Sequence, residues 1–243
     1  MIGAFIFLFL MHDFTFILII LLFAALLARY LHVVEFTPLE IVLLIALPLL
    51  AYLALSLGSE RVSNDFYGHI FGAVIDLPRW FDVPLCHFDG AILGINLIGF
   101  TIPLFISLKL LLQRRVPIPE TLFLIALVSA IAYLYTYHQP GIGIVVHFLA
   151  IPPILAAAVS FMLQRIARER GRDDFNSALL SYTGATIGVL IGADLLNLNT
   201  LIGYYKGDLV FISLGGGGVL DAIFLAGLIA LFADFIFNCY RDV

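Results

Sequence analysis

Charged residues are scarce in this chain: 12% of its 243 residues are Asp, Glu, Lys or Arg, against about 25% in soluble domains. With 63% of the residues hydrophobic, too few polar side chains remain to cover a water-soluble globule. Cysteine is equally rare. Cys86 and Cys239 are the only two, fall on opposite membrane faces in the topology below, and lack metal-site spacing, so neither a disulfide nor a metal centre is expected. No basic cluster is present that would suit nucleic acid. A nucleophile elbow, a phosphate loop, a His-Glu-x-x-His helix and a dinucleotide fingerprint are missing too, so no cofactor is expected. The N-terminus has no basic n-region and no small-residue cleavage site ahead of His12 and Asp13, so its apolar run reads as a helix rather than a removed signal.

What the chain does have is apolar length. Its mean hydropathy is +1.11, and its 22 Phe and long aliphatic runs fit helices rather than the period-two strands of a membrane barrel. A spanning helix needs roughly 20 apolar residues. The pattern predicts an all-α, polytopic bundle of about seven spans, near 5–28, 39–57, 90–112, 120–137, 146–166, 178–197 and 213–237. Residues 1–243 then form one integral membrane domain, with the bilayer as partner and the plasma membrane as location. Arg29, Lys109, Arg114, Arg115, Arg165, Arg168, Arg170, Arg172 and Arg241 share one side if seven spans alternate, against Arg61, Arg79 and Lys206 on the other. The positive-inside rule gives an outside N-terminus and a cytoplasmic C-terminus. The long connection 58–89 includes FYGHIFGAVI, which reads as an interfacial or re-entrant helix with Trp80 at headgroup level. There is no internal repeat, and nothing sets an oligomeric state.

Two aspartates stand inside the last apolar segments, Asp194 in YTGATIGVLIGADLLNL and Asp221 in SLGGGGVLDAIFLAG. An ionised carboxylate in the bilayer costs at least about 2.5–3.5 kcal/mol, so such residues are functional candidates by default. At 1.5 Å per residue, Asp194 near the end of the sixth span and Asp221 two turns into the seventh both fall about 5–12 Å below the outer interface. One helical hairpin can therefore bring them together. A close pair holds one proton between two carboxylates, the arrangement of an aspartyl protease dyad and equally of a proton relay.

Gly184, Gly188 and Gly192 recur every four residues and read as a packing stripe, with Asp194 on a different face beside Thr183, Ile187 and Leu190. Gly215, Gly216, Gly217 and Gly218 disfavour regular helix. With Ser213 as N-cap, they predict a loosened entry that could hold a peptide, an ion or a headgroup. Asn197, His147 and Asn96 are further candidates for a substrate or ion path. Asn96 also reads as a helix-bridging hydrogen bonder and His147 as an intramembrane histidine with a backbone partner. Pro152-Pro153 reads as a kink in the fifth span. His12 and Asp13 read as a second polar site or as the edge of the first span. His69, Cys86, His87 and Asp89 read as solvated loop residues, and Asp234 as structural, paired with Arg241.

Four stretches, INLIGFTIP, PGIGIVVHFLAIPP, TGATIGVLIGADLLNL and SLGGGGVLDAIFLAG, resemble the uncharacterised prokaryotic membrane family catalogued as domain of unknown function 1614, over about residues 92–230. The associated pattern, Gly-Gly-Ala-Gly, Thr-Phe, Asp-Gly-Ile-Phe, differs here at Gly217, Val219-Leu220 and Ala222 but keeps Asp221. The resemblance brings no established function. A second, looser similarity is to presenilin-like intramembrane aspartyl proteases, which place one aspartate late in a helix and the other after Gly-x-Gly at the start of the next. Here Ala193 replaces the tyrosine of their Tyr-Asp pair, Val219 and Leu220 separate the glycines from Asp221, and no Pro-Ala-Leu follows. The expected function is an intramembrane aspartyl hydrolase acting on a transmembrane peptide. The alternative is a proton- or cation-coupled transporter or channel using the same aspartates, and a structural or lipid-interacting role is third.

Overall fold

The structure is a computed structural model that describes residues 21–22, 24–51, 81–88, 91–139, 143–172, 175–204, 211–215 and 221–239. His12, Asp13, His69, Trp80, Asp89, Gly216, Gly217, Gly218, Arg241 and the FYGHIFGAVI stretch lie outside the described residues. The chain divides into two compact units, Met1–Leu49 and Leu50–Val243. Helix α1 (Ala24–Val33) and all but the end of α2 (Pro38–Ala51) belong to the first. Helix α2 starts with a capping box, since Glu40 Oε2 accepts from the Thr37 amide at 2.7 Å while Thr37 Oγ1 accepts from the Glu40 amide at 3.4 Å.

The second unit is mostly helical. Strands β1 (Asp82–Phe88) and β2 (Ala91–Asn96) lead into helix α3 (Leu97–Leu112), whose first turn, Leu97–Thr101, is π-helical. Helix α4 (Ile118–Leu134) is followed by a hairpin of β3 (Thr136–Gln139) and β4 (Gly143–Val146), then by α5 (Ile151–Glu169). Helix α6 (Ser177–Val189) continues through a π segment, Leu190–Leu195, to the short α7 (Leu198–Tyr204). Strand β5 (Phe211–Leu214) and helix α8 (Ala222–Cys239) complete it.

Among the described residues, two helices are long and apolar enough to cross a membrane by length and composition: Ser177–Tyr204, with mean hydropathy 1.5, and Ala222–Cys239, with 2.1. Helix α6 is the centre of the unit and packs against α3, α4, α5 and α8. Every residue from Ser177 to Val189 is buried. Its glycine stripe is why neighbours can approach. A Cβ at Gly184 would run into Leu124, one at Gly188 into Val128, and one at Gly192 into the Ser129 carbonyl and Ala132, all on α4. On another face, Gly227 of α8 sits against the Tyr182 ring and Thr186.

The unit is mostly helical as expected, but among the described residues five short strands depart from an all-α bundle. Strand β2 lies between β1, antiparallel, and β5, parallel. The sequence AILGIN was expected to open the third span as helix. A short apolar run does not distinguish a buried strand from helix by periodicity; here β-branched Ile92 and Ile95 extend the backbone, and Asn96 stops the strand and caps the helix. The Pro152-Pro153 pair also sits differently from its expected kink. Both prolines lie in the first turn of α5, where the missing amides have no intrahelical partner to lose. Cys86 in β1 and Cys239 at the end of α8 are free thiols at opposite ends of the unit.

The end of the unit formed by the α3–α4 and α5–α6 connections is regular. Helices α3 and α5 both finish in Schellman motifs. In α3, Arg115 N donates to Leu110 O and Arg114 N to Leu111 O, each at 3.0 Å. In α5, Arg172 N donates to Ala167 O and Gly171 N to Arg168 O, each at 2.9 Å. Lys109, Arg114, Arg115, Arg165, Arg168, Arg170 and Arg172 gather at this end.

Candidate functional site

At the opposite end, four interrupted segments meet, and each polar side chain there is held by a broken backbone. Asn96 ends β2 and caps α3, its Oδ1 accepting from the Ile98 amide at 3.0 Å and the Gly99 amide at 2.8 Å. Its Nδ2 donates to Asp82 Oδ1 at 2.9 Å. The same Asp82 oxygen accepts from Ser213 Oγ of β5 at 2.8 Å. Gly94, in register with Ser213, adds no side chain on that face between them. Asn96 therefore bonds within the strand–helix junction rather than bridging two helices.

Strand β5 then turns at Gly215, whose φ of +71° belongs to the left-handed region that favours glycine. A Cβ there would fall on Phe100 and the Gly99 carbonyl carbon of the α3 π turn. The Gly215 amide donates to Asp194 Oδ2 at 3.4 Å. Asp194 itself stands in the π segment that follows α6. There Asn197 Nδ2 donates to the Gly192 carbonyl at 3.1 Å and the Ala193 carbonyl at 2.9 Å, satisfying groups that the widened turn leaves open. Asn197 is thus a clamp on the Asp194 turn.

Asp221 corrects the expected register. Rather than lying two turns inside the last helix, it caps α8, with Oδ1 accepting from the Ile223 amide at 2.8 Å. Ser213, the expected cap, is in β5. The physical reason is local: an aspartate after flexible glycines and just before an apolar run is a better N-cap than a helix-interior residue. Asp194 and Asp221 are both half-buried and lie within range of direct charge–charge interaction. Beside them, Leu201 of α7 and Ile212 of β5 pack with Leu93, Ile144, Leu198 and Ile202 to form an apolar cluster.

His147 belongs to the connection after β4, ahead of α5. Its amide donates to the Tyr135 carbonyl at 2.7 Å, and its ring lies edge-on to Tyr137 and Phe148. Asp234 is buried, with Oδ2 accepting from Asn238 Nδ2 at 2.9 Å. Among the described residues no three His, Cys, Asp or Glu side chains are grouped to hold a metal ion. Asp82 is the residue that sequence reasoning missed. It lies in a polar connection, and its partner Ser213 is 131 residues away, so no local spacing announces it.

The geometry therefore defines a polar junction of interrupted elements at one end of a helical unit. The chain belongs to the family described as Protein of unknown function (DUF1614), whose family model matches residues 68–233. That match begins ahead of the expected residue 92 and so takes in β1 and Asp82. No curated protein and no solved structure matches the chain.

Proposed function

We propose that this is a seven-span plasma-membrane protein with an outside N-terminus and cytoplasmic C-terminus, and that Asp194 and Asp221 are the dyad of an intramembrane aspartyl hydrolase. One observation carries the reading. The two carboxylates lie close enough for their charges to influence each other, and each has one oxygen engaged by a backbone amide, Gly215 for Asp194 and Ile223 for Asp221. Those bonds hold both groups in place, as a dyad that shares one proton and one water requires. One carboxylate takes a proton from water as the oxygen attacks the peptide carbonyl carbon, while the other gives its proton to the carbonyl oxygen. Collapse of the resulting diol then breaks the C–N bond, and the amine leaves with a proton. Among the described residues strand β5 is at the edge of its sheet and leads into Gly215, so its outer edge would offer backbone groups to an unwound peptide.

A second reading, proton or cation transport, is favoured by a different observation. The hydroxyls of Ser107, Ser129, Ser160 and Thr186, on α3, α4, α5 and α6, are buried with no hydrogen-bond partner among the described residues. Such groups would favour a hydrated path between helices.

The test incubates purified protein with a library of transmembrane peptides. Wild type is expected to cleave, and Asp194→Asn and Asp221→Asn each to lose about 10²–10⁴-fold in rate. Cleavage that persists in both variants, or no cleavage by folded protein, overturns the hydrolase. Proton or cation flux in proteoliposomes that is lost in the same variants selects transport.

A further inference from the structure

The regular end of the unit contains a cavity of about 420 Å³, lined by Arg114, Val116, Pro117, Ile118, Pro119, Arg172 and Phe175. Two helix endings aim cations at it. Arg114 is the left-handed residue of the α3 Schellman motif, and Arg172 follows the left-handed residue of the α5 motif. In α5 that left-handed position is Gly171, at φ +73°, whereas in α3 it is Arg114, at φ +55°. A glycine would relax the α3 turn, so the chain keeps an arginine where the backbone argues against one. Arg172 Nη1 bonds Glu120 Oε1 at 2.9 Å, which satisfies part of its fork and leaves further N–H groups. The Arg114 guanidinium makes no hydrogen bond or ion pair among the described residues. The first turn of α4, on the cavity wall, brings a helix N-terminus together with the Glu120 carboxylate that Arg172 neutralises. Of the remaining walls, Val116 and Phe175 are buried apolar side chains and Ile118 is exposed.

We propose that this cavity binds a phosphate group, held between the guanidinium groups of Arg114 and Arg172. Planar N–H forks match phosphate oxygens in pairs. Arginine pockets between helices at the basic face of a membrane protein suit anionic headgroups, and a free phosphate presents the same chemistry. The site lies at the other end of the unit from Asp194 and Asp221 and does not depend on their role.

The test measures thermal stability of the full chain in detergent with inorganic phosphate, against chloride at matched ionic strength. Native mass spectrometry then scores retained lipid after exposure to phosphatidylglycerol or phosphatidylcholine nanodiscs. Arg114→Gly is the informative variant, because glycine suits the turn and the protein should remain folded. Stabilisation by phosphate, about tenfold weaker in Arg114→Gly and substantially kept in Arg114→Lys, supports the site. Selective retention of phosphatidylglycerol, lost in Arg114→Gly, identifies a headgroup as the source; an effect of inorganic phosphate alone identifies a free anion. If neither probe binds, or if Arg114→Gly binds both as wild type does, the proposal is overturned.

Discussion

The two ends of the helical unit solve the same problem in opposite ways. Both must satisfy the backbone groups that a helix leaves open at its termini. At the end carrying Arg114 and Arg172, α3 and α5 close with backbone-only Schellman motifs, and side chains remain available for other contacts. At the end carrying Asp194, side chains do the closing: Asn96 caps α3, Asn197 clamps the π turn, and Asp221 caps α8. Strands and π turns concentrate there, together with three carboxylates. Local rules of helix building hold at one end and are set aside at the other, and departures of that kind concentrate at functional sites.

The largest effect expected from breaking this arrangement comes from the seam of α4 with the π segment that carries Asp194. Gly192→Val would place its Cβ on the Ser129 backbone, and backbone cannot swing away as a side chain can. It should destabilise by about 3 kcal/mol or prevent folding, read as loss of monodisperse protein or of unfolding midpoint in detergent. Separating the two duties of Asp221 has a smaller effect on stability and a sharper meaning. Asp221→Ala should lower stability by about 1 kcal/mol through loss of the cap, whereas Asp221→Asn keeps a capping oxygen and should stay near wild type. Both should lack the proposed activity. Equal stability losses in the two would show that the charge, rather than the cap, holds the helix start. The smallest change should go the other way. Arg114→Gly relieves a left-handed arginine and should raise the unfolding midpoint by an amount corresponding to about 1 kcal/mol, measured without phosphate.

Helices α4, α6 and α8 were readable as long apolar runs, although α8 starts at Ala222 rather than at residue 213. The glycine stripe was readable too, since a repeat of four maps onto one helical face. The polar junction was legible only in part. Asp194 and Asp221 are conspicuous as charges in apolar sequence, but Asp221 was placed by span length when its neighbours spelled an N-cap. The apolar run AILGIN carried no signal separating strand from helix. The parallel pairing of β2 with β5 depends on chain segments far apart in sequence, which no local pattern encodes. Asp82 went unseen for the same reason.

That distance has a consequence for how the protein comes into being. The bond from Ser213 to Asp82 spans 131 residues, so strand β2 leaves the ribosome with one edge waiting for a partner not yet made. At synthesis rates of about 5–20 residues per second, the delay is on the order of ten seconds. During that interval the first helices can form by short-range contacts, whereas the junction cannot. A chain truncated before β5 would lack Ser213, the Gly215 amide and Asp221 together. Synthesis of β5 and of the start of α8 therefore gates assembly of the carboxylate junction.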